Sequence, residues 1–188
     1  MIEKIKRTFN ESSKVKQTFV HENLELICEV VNKMIEKIRN GGKILFMGNG
    51  GSACDSQHIA LELVGQFYKR RPPISALSLT SNSPLITEIA NDFSFKDIFK
   101  RQIEALAKKE DIVVGISTSG KSINILSGLQ MAKELGSTTI GLTGINGEDM
   151  KQFCDYLFVV PSKDTPRIQE THITLLHIIA QLMEEELI

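Results

Sequence analysis

The chain has no surplus of charge: Lys+Arg number 22 and Asp+Glu 23, a formal net charge of -1 over 188 residues. That balance excludes the broad basic field that holds nucleic acid by its phosphates, and there is no acidic tail. A small anionic ligand would have to be met by local donors. No stretch approaches the roughly 18 apolar residues that a membrane-spanning helix needs. The charged start, Met1 to Arg7, is followed by no apolar segment of the kind a secretory leader carries, so the expectation is a cytoplasmic protein. Cysteine is scarce as well. Cys28, Cys54 and Cys154 form an odd set without a close pair, which fits reduced thiols packed as small core residues better than a disulfide frame or a structural zinc knot. No internal repeat or low-complexity tract divides the chain. With 41% apolar residues it has enough to bury one core, and the reading is a single domain over 1–188, with 1–40 a helical extension and 41–188 the core.

In that extension Leu24, Ile27, Cys28, Val31, Met34 and Ile38 make a helical stripe that stops before Asn40-Gly41-Gly42. A weaker pattern through Ile5, Phe9, Val15 and Phe19 predicts a separate, earlier helix. Beyond residue 42, short Val/Ile/Leu runs alternate with amphipathic ones. The predicted strands are 43–48, 75–80, 111–117, 138–143 and 155–160; helices start near Ala53, Pro84, Phe95, Ser122 and Gly147, and a last one spans 167–187. Near-continuous apolar strands separated by helices indicate a parallel sheet covered on both faces, a doubly wound, three-layer α/β domain. The terminal helices exceed what five strands need for cover and are predicted to pack between subunits.

Two loops suit an anion. Gly48-Asn49-Gly50-Gly51-Ser52 follows a strand and opens a helix, with Ser52 as its expected cap. Glycines allow close backbone approach, and free N–H groups at a helix start favour negative charge. With Ala53 the stretch also fits G-x-G-x-x-A, the dinucleotide fingerprint. That fingerprint expects an acidic residue at the end of the second strand, and Leu79-Thr80-Ser81-Asn82 offers none before Glu88. The second loop is Ser117-Thr118-Ser119-Gly120-Lys121-Ser122, whose four hydroxyls converge at another helix start. Gly115 to Ser122 also satisfies the nucleotide P-loop pattern. A P-loop enzyme needs an Asp at a neighbouring strand end for magnesium, and the strands ending at Thr143 and Pro161 have none, which leaves a sugar-phosphate site ahead of a nucleotide hydrolase.

His58 and Glu62 lie four apart on one helix face, spacing that fits a divalent ion, a proton-transfer pair or a plain surface contact. The last helix adds Gln169, Glu170, His172 and His177. Gln169 and His177 are eight apart, about 12 Å along a helix, close to the greatest reach of two side chains to one ion. His177, between Leu176 and Ile178, reads from spacing alone as a hydrogen-bonded core histidine rather than a ligand.

Taken in order, Gly48-Asn49-Gly50-Gly51-Ser52-Ala53 with Asp55, Gln57-His58, Glu62-Leu63-Val64-Gly65, Asn91-Asp92, Ser117-Thr118-Ser119-Gly120 with Ser122, and Arg167-Ile168-Gln169-Glu170 with His177 resemble the phosphoheptose isomerase family of sugar-isomerase (SIS) domains. The resemblance spans the chain. It implies a flavodoxin-like α/β/α sandwich with a five-stranded parallel sheet, in a homotetramer whose active sites lie at subunit interfaces. It further implies that Ser117, Thr118, Ser119 and Ser122 hold the phosphate, with Ser52, while Asn49, Gly50, Gly51, Asn91, Asp92 and Gln169 contact the sugar. Zinc would be bound by His58, Glu62, Gln169 and His177, with Glu62 and His177 as the acid–base pair. The implied activity is aldose–ketose isomerisation of sedoheptulose 7-phosphate for bacterial surface-glycan heptose. Cys54 stands where many relatives have Ala, and Gln66 where many have Arg, which removes a cation near the predicted site. Alternatives within the same resemblance are an isomerase of another sugar phosphate and a non-enzymatic SIS protein that binds a replication initiator; the joint presence of His58, Glu62, Gln169 and His177 favours catalysis.

Overall fold

The apolar runs form five strands in a computed structural model that describes residues 1–187: β1 Ile44–Gly48, β2 Ala76–Ser78, β3 Ile112–Ile116, β4 Thr138–Gly144 and β5 Tyr156–Val160. They pair in parallel in the order β2-β1-β3-β4-β5, with Gly48 in register with Ile116 at the end where β1 and β3 stop. Every residue of β1 and β3 is buried because both faces are covered. Ile44, Phe46, Val114 and Leu142 point into one core with α1 (Ile2–Arg39), α2 (Gly51–Val64) and α6 (Thr165–Leu187). Leu45, Met47 and Val113 point into the other with α3 (Ser83–Asp92), α4 (Lys100–Leu106) and α5 (Ile123–Glu134). Phe46 and Phe158 are among the largest fully buried side chains. Truncating either to Ala would cost about 3–5 kcal/mol, from lost transfer energy and the cavity left behind.

The first forty residues depart from the expectation of two helices. They form one, α1, because no Gly or Pro interrupts the chain before Asn40, and Gly41 at φ +81 ends it. The second half of α1 and all of α6 lie on the chain's own sheet: Phe19, Ile27, Val31 and Met34 join Leu175, Ile179 and Met183 in the first core. Ile2, Ile5 and Phe9 on the first turns of α1 stay exposed.

Three local readings are corrected. Ser52 is not a helix cap: the helix opens two residues earlier than expected, at Gly51, with Gly50 at φ +55 as the capping position, and Ser52 is buried in the first turn. The segment from Phe95 is one 3-10 turn, Phe95–Asp97, before α4, and Ile145–Phe153 is 3-10 rather than α-helical. Of the cysteines only Cys154 is packed; its thiol is pushed up to about 12 by burial and Asp155, while Cys28 and Cys54 are exposed.

Candidate active site

The strand order reverses between β1 and β3, so the loops leaving these strands part in opposite directions and open a crevice at their C-terminal ends. Asn49 and Asn124 join the two sides by reciprocal amide hydrogen bonds, each 2.9 Å. Asn124 is buried at the start of α5 and also accepts the Ile125 N–H at 3.0 Å. It went unnoticed in the sequence, where it is one polar residue beyond the serine loop; its only signal is the helix start.

The serine loop closes on itself. The Gly120 N–H bonds the Ser117 carbonyl at 2.9 Å, Ser117 Oγ donates to Ser122 Oγ at 3.0 Å, and the Lys121 N–H bonds Ser119 Oγ at 3.2 Å. Gly120, at φ +65, packs against Gly147 so closely that a Cβ on either would collide with the other's backbone, and Gly144 donates to the Thr118 carbonyl at 3.0 Å. The loop is thus held by the β4–β5 connection. Thr118, Ser119 and Lys121 line a cavity of about 220 Å³ with Asn146, Lys163 and Thr165. Hydroxyl residues and two lysines thus border one space, a lining suited to a dianion. Lys163 escaped sequence reading because it belongs to a distant loop.

Parallel to this crevice, α2 and α6 run side by side. His58 Nε2 lies 3.2 Å from Glu62 Oε1 and 3.4 Å from His177 Nε2, and one ligand atom from each of the three residues falls within 4.8 Å of the others. The two imidazoles meet edge to face at 4.9 Å between centroids, and the Phe67 ring stands 5.6 Å from that of His177. Burial pushes the His177 pKa down, helped by His58 and opposed by Glu62, which favours the neutral ring. Two ring nitrogens and a carboxylate oxygen at this spacing repel unless a proton or cation sits among them. The donor set of two imidazoles and one carboxylate fits a divalent metal such as zinc.

Gln169 rests over Gly51, where a Cβ would collide with its amide. Gly51 is seven residues before His58 on α2, about 10 Å of helix rise. Asn91 and Asp92 are exposed at the end of α3 and bonded to each other at 2.7 Å. Asp55 is half-buried, its carboxyl raised by burial against the pull of His58, and its Oδ2 has no partner. Glu170 pairs with Arg167. His172 is fully buried, with Nε2 3.3 Å from the Thr143 carbonyl.

The SIS domain family matches residues 8–144. A phosphoheptose isomerase from Aquifex aeolicus is 48% identical over 185 residues, covering 98% of this chain and 97% of its own. The structure of a phosphoheptose isomerase from Francisella tularensis superposes with a TM-score of 0.94 at 33% identity over 98% of both chains. The one from Neisseria gonorrhoeae gives 0.91 at 36%, over 97% of this chain and 98% of that one.

Proposed function

Given that this chain belongs to the SIS-domain phosphoheptose isomerases, we propose that Glu62 and His177 move the protons that interconvert sedoheptulose 7-phosphate and D-glycero-D-manno-heptose 7-phosphate. The protein is a sugar-phosphate isomerase, and its substrate is a sugar phosphate. Supporting the residue roles is one observation above all: α6 brings His177 to within 4.8 Å of Glu62, across more than a hundred residues of sequence.

Isomerisation removes a proton from C1 of the ketose, passes through an enediol and returns a proton to C2, while the oxygen on C2 gains a proton and that on C1 loses one. Glu62 takes the C1 proton. Its Oε1 faces His58, and among the described residues no donor is bonded to Oε2. His177, held neutral by burial, exchanges protons with the two oxygens. Each such group contributes on the order of 10²–10⁴ in rate. Thr118 and Ser119, which line the cavity with Lys121 and Lys163, grip the phosphate with Ser117 and Ser122, whose hydroxyls are bonded to each other, and the distant grip orients the reacting end. Ser52, Asn49, Gly50, Gly51, Asn91, Asp92 and Gln169 complete the sugar site. His58, Glu62 and His177, whose ligand atoms gather at one point, would hold a zinc ion together with Gln169, and the ion would supply polarisation of the substrate carbonyl.

The same reading includes a single domain over the whole chain and a homotetramer with interfacial sites. Exposed Ile2, Ile5 and Phe9 on α1, and Leu61 and Val64 beside the histidine cluster, support it. Among the described residues no helix is long and apolar enough to cross a membrane, in keeping with a cytoplasmic enzyme of heptose supply to surface glycans. The direct test is conversion of sedoheptulose 7-phosphate by purified protein, with and without chelator. Conversion that chelator abolishes and zinc restores is expected; no conversion under either condition overturns the reading.

A further inference from the structure

Glu62 sits in the last turn of α2, which ends at Val64. Carbonyls of a final turn lack intrahelical partners, and such ends fray unless something caps them. Here the cap is Arg71, from the loop after α2: Nη2 donates to the Glu62 carbonyl at 2.8 Å, and Nη1 to the carbonyls of Leu63 at 2.8 Å and Pro72 at 3.1 Å. Its Nε donates to Glu184 Oε1 at 2.9 Å. Glu184 lies on α6 seven residues beyond His177, on the same face about two turns along. Its Oε2 accepts the N–H groups of Tyr68 at 2.9 Å and Lys69 at 3.0 Å, and its Oε1 that of Phe67 at 3.4 Å. Both side chains are only 1% exposed.

A buried ion pair is weak evidence for stability, because apolar residues of similar volume often serve as well. What it provides is direction. The rigid guanidinium fork fixes the backbone of one acid–base residue to the helix that carries the other. The carboxylate fixes the loop that stands Phe67 against His177. We infer that Arg71 and Glu184 are positioning residues for the isomerisation, locking the last turn of α2 to α6 so that Glu62 and Phe67 hold their places against His177. The inference rests on the roles given above to Glu62 and His177.

The experiment compares Arg71→Lys, Glu184→Gln and Glu62→Gln in steady-state kinetics with sedoheptulose 7-phosphate, well below each variant's melting transition, with circular dichroism to establish folding. Arg71→Lys keeps the charge but loses the fork; Glu184→Gln keeps the shape but not the charge. In each folded variant kcat is expected to fall at least about tenfold with KM within about threefold, since a displacement of an ångström costs up to 10²-fold. If either folded variant keeps kcat within about twofold of wild type, and only its melting temperature or KM changes, the pair is structural and the inference fails. Wild-type kcat in Glu62→Gln would instead remove the catalytic reading on which it rests.

Discussion

The α2–α6 seam carries two polar centres about two turns apart, and they are built on opposite terms. At one, the His58 side chain is 45% exposed and Glu62 19%, their contact is 3.2 Å, and the His177 and His58 nitrogens face each other at 3.4 Å without a fixed donor. At the other, Arg71 and Glu184 are each 1% exposed and both carboxylate oxygens accept hydrogen bonds. Groups that must exchange protons or hold a cation are left short of partners, whereas groups that only hold position are saturated. Unsatisfied polar groups are costly in a low-dielectric interior, which is why the first centre stays near solvent and the second does not.

Breaking the unsaturated centre should cost activity and little stability. Glu62→Gln should lower kcat by about 10³-fold, about 4 kcal/mol in the barrier, with an unchanged melting curve. His177→Asn should lower kcat by about 10²-fold, because solvent replaces part of its proton traffic with the oxygens. Steady-state rates beside thermal denaturation test both.

A third polar group on α6 sharpens the contrast, since His172 is as buried as the clamp yet its Nδ1 has no partner. Burial pushes its pKa down to about 4 from 6.5, outweighing the bond to the Thr143 carbonyl. Between those values the unfolded chain binds a proton that the folded one refuses. This contribution to stability is therefore full above pH 6.5 and is lost as pH falls toward 4, by about 2 kcal/mol at pH 5. His172→Gln, which keeps a donor for Thr143 without the titration, should flatten that acid slope in urea denaturation. The smallest effect is expected at the phosphate loop: Ser119→Ala should raise KM about fivefold, about 1 kcal/mol, and lower kcat less.

Much of this was legible in sequence because its cause is local. All five strands fall within a residue or two of their predicted limits; for β1 and β3, buried on both faces, the unbroken apolar run is required, whereas the edge strand β2 leaves Leu77 exposed. The loops at residues 48–52 and 117–122 announce themselves by glycine and hydroxyl content. The continuity of α1 was misread because its apolar stripe weakens between Phe9 and Val15, where no breaker residue is present. Cys28 and Cys54 were misjudged because small apolar character does not say which helix face a residue occupies. Arg71 and Glu184 left no signal, being 113 residues apart and joined only by the fold. The meeting of His58 with His177 was likewise carried by resemblance alone, as spacing along one helix says nothing of its neighbour.

The central claim is most directly tested by solvent exchange at C1 of sedoheptulose 7-phosphate in D₂O, followed by NMR with wild type and Glu62→Gln. The account predicts that wild type introduces deuterium while forming the heptose, and that Glu62→Gln introduces none although it still binds inorganic phosphate. Exchange at the wild-type rate in Glu62→Gln would contradict it.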